Sequence, residues 1–227
     1  MTNGRGAVAA GGRRTALNRR AGMRNATSLL YLLVCTVIHM STQDRLIEST
    51  QALLWERGYV GTSPKAIQQR SGVGQGSMYH HFTGKPDLAA AALRRSAEEM
   101  RGIAEADLAA PGTAYDRIAA YLHRDRDVLR GCRIGRMAQD PDVVADPQLR
   151  APVEETFDWL RGRIADLVAE GQSEGEFAPG LDPADTAAAV VAVVQGGYVL
   201  ARAADSAEPF DRAVRGALGL LAAHRAA

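Results

Sequence analysis

Cysteine and lysine are scarce in this 227-residue chain, which has two of each: Cys35 and Cys132, Lys65 and Lys85. A chain of this size buries enough apolar surface to fold without disulfide staples, and no Cys/His spacing suits zinc, so neither a disulfide framework nor a metal site is expected. Charge of one sign is also missing in bulk, because 27 Lys+Arg against 26 Asp+Glu leave a formal net charge of +1. A generally basic, histone-like nucleic-acid binder is thereby excluded, and any nucleic-acid contact has to come from a local patch. Apolar runs stay short of the roughly 20 residues of a membrane-spanning helix: Leu29–Ile38 is too brief, and the uncharged stretch 186–201 is interrupted by Gln195-Gly196-Gly197. Enzyme signatures are absent as well, with no Walker sequence, no Gly-x-Ser-x-Gly, no His-Glu-x-x-His and no paired carboxylates with a plausible pocket. The run Gly72-x-Gly74-x-Gly76 misses the dinucleotide-binding spacing by one residue and has no strand before it. No enzymatic activity and no cofactor are expected.

Residues 1–39 stand apart. They hold arginines at 5, 13, 14, 19, 20 and 24 and no acidic residue, run into the apolar stretch 29–38, and meet a second methionine at Met40. Basic residues before an apolar stretch imitate a secretory signal, but no small-x-small cleavage site follows in Val37-Ile38-His39-Met40-Ser41-Thr42. The segment is read as a disordered extension or the product of a misassigned start, with Met40 opening the working chain; a true additional arm is the alternative.

Beyond Met40 the pattern is helical throughout. Leu46, Ile47, Thr50, Leu53 and Leu54 share one face of a helix that ends at Gly58. Ser63-Pro64 joins a capping residue to a proline at the first helical position, and the short helix it opens stops at Ser71-Gly72. A second short helix follows in Val73 to Phe82, so the two with their glycine turn predict a helix-turn-helix. Val73, Met78 and Phe82 are the inward residues, leaving Gln75, Gly76, Ser77, Tyr79 and His80 outward.

Short polar groups at the exposed start of such a helix are what reading the DNA major groove requires. Gln75 suits an adenine edge, and Gly76 admits close approach of the backbone. Ser77, Tyr79 and His80 suit phosphates, as do Lys85 and the helix opening at Pro86. Ser63, Lys65 and Arg70 complete the candidate DNA contacts. The adjacent His80-His81 pair is not a metal site, since neighbouring helical side chains diverge by about 100° and no third ligand is near.

Taken as a set, Gly58-Tyr59, Thr62-Ser63, Ala66-Ile67, Ser71-Gly72-Val73, Gly76, Met78-Tyr79-His80-His81-Phe82, Lys85 and Leu88 resemble the DNA-binding domain of the TetR family of bacterial transcriptional regulators. Gly74 departs from the serine-like cap usual there, and Gln69-Arg70 from the commoner small or acidic residues. The resemblance implies an all-α homodimer with a three-helix helix-turn-helix domain over 40–102 and a helical effector-binding and dimerisation domain over 103–227. It implies a cytoplasmic repressor on a palindromic double-stranded DNA operator, released by a small hydrophobic effector, with no membrane association. A ligand-independent DNA-binding protein of the same fold is the alternative.

The remaining sequence suits such a domain. Pro86 to about Ala109 reads as a long connecting helix, Ala114 to Arg130 as another, and Asp146-Pro147 as the start of a third. That third helix carries a seam of Val153, Phe157, Leu160, Ile164 and Leu167. Gly131-Cys-Arg-Ile-Gly135 is similar to a Gly-Cys-x-Ile-Gly motif of one subgroup of the family. Asp182-Pro183-Ala184-Asp185 caps the uncharged helix, which is expected to be buried at a helix–helix interface, and Phe210 to Leu221 forms the last one. Tyr121, Cys132, Met137, Phe157, Trp159, Gln195 and Tyr198 are the candidate effector pocket; plain core packing is the alternative for the aromatics, as it is for Cys132 against redox sensing. Ala188, Ala192, Gly196, Val214, Ala217 and Leu221 are the candidate dimer interface.

Overall fold

Helices make up the regular structure of residues 40–226, the part that the computed structural model describes; a lone bridge between Phe177 and Arg225 is the only β-type pairing among them. The extension expected over 1–39, with its arginines and Cys35, lies outside the described residues. Ten helices follow in order: α1 Thr42–Arg57, α2 Pro64–Ser71, α3 Gln75–His81, α4 Lys85–Leu108, α5 Ala114–His123, α6 Arg133–Met137, α7 Pro141–Ala145, α8 Pro147–Ser173, α9 Pro183–Ala204 and α10 Glu208–Ala222.

Local chemistry sets most of their ends. Ser63 Oγ accepts the Ala66 N–H at 3.2 Å to cap α2 ahead of Pro64, and Gly72 closes the helix in the left-handed region at φ 67°. Asp140, Asp146 and Asp182 each cap the helix that follows, and each is followed by a proline at the first turn. Thr113 and Asp116 cap α5 reciprocally. The end of α5 departs from the helix expected to reach Arg130. The Arg126 guanidinium turns back onto the carbonyls of Tyr121, Leu122 and Arg124, taking the acceptors that another helical turn would use. Residues 124–132 therefore connect α5 to α6.

Packing divides the molecule differently from chain order. One core joins Leu46, Ile67 and Met78 of the first three helices and Phe82 just after α3 to Leu88 and Leu93 of α4, and it also takes in Ile134, Met137, Val143 and Val153. The second gathers the end of α4 with α5, α8, α9 and α10 around Leu108, Ile118, Leu160, Ile164, Leu167, Val190 and Phe210. Phe157 and Tyr198 touch both. Helix α4 runs unbroken through 102/103, so the two parts share a rigid helix rather than a linker. Residues 132–153, though far along the chain, pack with the N-terminal helices.

The expected burial of α9 is found on one side only. Ala187, Val190, Val191, Val194, Gly197 and Ala201 are buried, while Ala188, Ala192 and Gly196 are exposed, as are Val199 and Leu200 at 54% each. By length and composition α9 is apolar enough to cross a membrane; its buried side is spent on the second core.

Candidate nucleic-acid interface

Helix α3 is held by what it buries and offers what it leaves out. Met78 is fully buried beside Ile67 and Leu46, and Val73 and Phe82 flank it. Removing a side chain buried in this way costs about 2–5 kcal/mol, which makes Met78 the anchor of the helix. Gln75, Gly76, Ser77, Tyr79 and His80 all face outward, Tyr79 half exposed. Gly74 stands at the N-cap in extended backbone without a side-chain hydrogen bond, so the first N–H groups of α3 lie open to a ligand. The His80 and His81 rings meet edge to face at 5.1 Å, and no cluster of three metal-ligating side chains occurs among the described residues.

Around α3 the turn is braced from α1. Arg45 donates to the Ser71 carbonyl at 2.6 and 3.2 Å, and a side chain at Gly72 would press on that guanidinium besides being strained at positive φ. Ser63 and Lys65 are exposed at the start of α2, with the Ser63 hydroxyl already accepting its capping bond. Arg70 is exposed but engaged: its guanidinium donates to both carboxylate oxygens of Glu56 at 2.8 and 2.9 Å. An exposed pair of this kind contributes at most about 1 kcal/mol, too little to withhold Arg70 from a phosphate. Lys85 is half-buried, its ammonium 3.8 Å over the Tyr59 ring at the start of α4, and burial lowers its pKa.

The candidate effector residues are dispersed more widely than expected. Cys132, Gln195 and Tyr198 line a cleft of about 580 Å³ between the end of α1, the α6–α7 segment and α9. Tyr121 and Met137 are buried in the two cores instead, Phe157 bridges the cores, and Trp159 packs half-buried against the second. Helix α6 brings Gly135 directly under α9, where any side chain would collide with the Gln195 amide oxygen. Cys132 is 8% exposed, and its sulfur caps α6 by accepting the Gly135 N–H at 3.2 Å. Burial pushes its thiol pKa up, which supports the core reading over that of a reactive thiolate. Burial likewise raises the Tyr198 phenol to about 12, so it stays neutral.

Sequence reasoning overlooked the charge of this cleft. Arg57, Arg130, Arg136 and Arg202 line it, with Asp140 as the one carboxylate among the lining residues. Arg130 and Arg136 flank one short segment, whereas Arg57 and Arg202 come from distant places in the chain, and no local pattern brings the four together.

The candidate dimer residues divide as well. Ala188, Ala192 and Gly196 lie on the open side of α9, and Ala217 is half-buried. Val214 and Leu221 are spent in the protomer's own core, because α10 turns Phe210, Val214, Leu218 and Leu221 inward on one stripe. The open side of α10 carries Gly216, Gly219 and Leu220, the last 71% exposed, together with the charged Asp211, Arg212 and Arg215.

Comparison with known proteins places these features in a family. Residues 46–92 match the family model described as bacterial regulatory proteins, tetR family, and residues 112–217 match that of the tetracyclin repressor-like C-terminal domain. A TetR transcriptional regulator from Chloroflexus aurantiacus has a similar structure, with a TM-score of 0.74 and 30% identity over 82% of this chain and 97% of that one. The HTH-type transcriptional regulator LmrA of Bacillus subtilis is 26% identical over 176 residues, 74% of this chain and 90% of its own. FadR of Bacillus subtilis, solved in complex with stearoyl-CoA, shares the fold at 18% identity with a TM-score of 0.62, over 78% of this chain and 96% of that one.

Proposed function

The chain belongs to the TetR family of DNA-binding transcriptional regulators, and from that premise we propose that it is a cytoplasmic, homodimeric repressor released from a palindromic operator by a small-molecule effector. The observation that carries the reading is α3, anchored by Met78 and presenting Gln75, Gly76, Ser77, Tyr79 and His80 outward from an uncapped N-terminus. A recognition helix enters the major groove by that end. In this reading Gln75 specifies a base, Gly76 gives clearance, and Ser77, Tyr79, His80, Ser63, Lys65, Arg70 and Lys85 hold phosphates.

Dimerisation is supported by the exposed apolar side of α9 and the adjoining Gly216, Gly219 and Leu220 of α10. Small residues at four-residue spacing, Ala188, Ala192 and Gly196, let a second helix approach closely, and two copies of the same pair make a four-helix seam. The Ala217 edge joins this seam. A domain of residues 40–102 then reads DNA and 103–227 senses and dimerises, with α4 as the lever between them.

The cleft bordered by Cys132, Gln195 and Tyr198 is the effector site of this reading; its volume suits a small molecule. FadR, with its bound stearoyl-CoA, offers a precedent for a ligand on this fold. Selection of binding sites from random duplex DNA, followed by footprinting, tests the function. Two inverted half-sites protected by one dimer are expected; no enriched sequence at low salt overturns the DNA-binding role. Operator binding that no ligand of the cleft weakens favours the ligand-independent alternative.

A further inference from the structure

We propose that the cleft between α1, α6–α7 and α9 is an anion site, and that the effector is a small organic anion, a carboxylate or phosphate ester with a short apolar body, held by Arg57, Arg136 and Arg202. The proposal rests on the reading of the chain as an effector-gated regulator and names the chemistry of that effector.

The charges in the cleft are unequal, four arginines against one carboxylate. Arg130 is paired with Glu56 at 3.4 Å and lies over the Trp55 ring at 3.6 Å. No carboxylate among the described residues comes within ion-pairing distance of Arg57, Arg136 or Arg202. Asp140 shares the cleft, but its Oδ2 already accepts the N–H groups of Tyr59 at 2.8 Å and Val60 at 3.1 Å, and its Oδ1 that of Asp142. Arg202 folds over Gly131, its Cδ 3.7 Å from where a side chain would begin there. Partial burial and then the charge of Arg202 lower the pKa of Arg136, and the opposing pull of Asp140 does not reverse the shift. Guanidinium forks with free donors recognise carboxylate and phosphate oxygens in pairs. Val60, Pro141, Tyr198 and Val199 supply the apolar wall beside them.

The position of the site explains how occupancy reaches DNA. Two clamps beside the cleft tie the end of α1 and the turn after it to the rest of the chain: the Trp55 indole N–H on the Gly131 carbonyl at 3.0 Å, and Asp140 on the Tyr59 and Val60 amides. Arg57 belongs to α1, Arg136 to α6 and Arg202 to α9. An anion shared among them draws the end of α1 toward α9, and α2 and α3 move with α1 because they share its core.

Trp55 also provides the assay, because Trp159 is the only other tryptophan. In the full chain carrying Trp159→Phe, hexanoate and hexyl phosphate are titrated against Trp55 emission, beside the neutral hexanamide and hexanol. Saturable binding of one or both anions with no response to the neutral probes is expected, and the stronger of the two identifies carboxylate or phosphate as the preferred group. Arg136→Gln with Arg202→Gln is expected to weaken anion binding at least about tenfold, the loss of one or more charge-assisted hydrogen bonds. Arg202→Gln alone gives a smaller loss in the same direction, and Arg161→Gln on the outer side of α8 gives none. Neutral probes that bind as well, a double variant that binds as before, or no saturation by either anion up to about 10 mM overturns the proposal. Operator binding measured on the same samples separates the two readings: an unliganded protein that does not bind DNA overturns the repressor assignment, whereas the anion site stands or falls on the titration.

Discussion

Helices α3 and α9 both bury one side and expose the other, yet their exposed sides are chemical opposites. The outward residues of α3 are polar and aromatic, Gln75, Ser77, Tyr79 and His80, set at an N-terminus with open N–H groups. Those of α9, between the charged Asp185 and Arg202, are Ala188, Ala189, Ala192, Gly196, Val199 and Leu200. The difference teaches what each helix is left open for. Hydrogen-bonding groups held in water by a rigid anchor suit a hydrated, charged duplex. An apolar stripe with small residues at its centre is costly to leave wet and suits a second helix of the same kind.

The strongest way to break that contrast is to place charge on α9. Gly196 has open space around it, so Gly196→Arg is expected to leave the protomer folded, with unchanged helical circular dichroism, while converting dimer to monomer in light scattering. Apparent operator affinity then falls at least about 100-fold, because the second half-site no longer binds intramolecularly. A dimer that survives Gly196→Arg shows that the open side of α9 is not the interface.

Changes on the α3 side are smaller and sort by kind. Gln75→Ala is expected to lose about 1–3 kcal/mol of discrimination at one base pair and little elsewhere, read from binding to single-base operator variants. Equal loss on every variant removes Gln75 from base reading. Lys85→Ala is expected to weaken all sequences alike and to reduce the slope of log affinity against log salt by about 0.9, the signature of one phosphate contact. An unchanged slope means that the ammonium stays on Tyr59 rather than turning to DNA. Smallest is Gly74→Ser: the backbone there is extended and the surroundings open, so a side-chain cap is expected to add a few tenths of a kcal/mol to stability in thermal melting.

Legibility followed the range of the interactions. The capped start at Ser63-Pro64, the left-handed Gly72 and the Val73, Met78, Phe82 anchor are local patterns, and they placed the helix-turn-helix before any coordinates. On α10 the apolar residues cover two stripes, and periodicity alone did not tell which one the protomer keeps; hence Val214 and Leu221 fell inside while Leu220 stayed out. The end of α5 was hidden for another reason, since Arg126 continues a helical pattern until its side chain is seen to cap the carbonyls behind it. The arginines of the cleft had no signal at all in a chain whose basic residues are nearly all arginine.

What the amino-acid order determined by itself is the class of molecule: an all-helical chain with a helix-turn-helix near its start, because caps, turns and helical periodicity act within a few residues of one another. What only the tertiary structure decided is the joint. Arg57, Arg136 and Arg202 line one cleft because residues 132–153 pack into the N-terminal core. Electrostatic fields depend on distance through space, and the fold alone sets that distance.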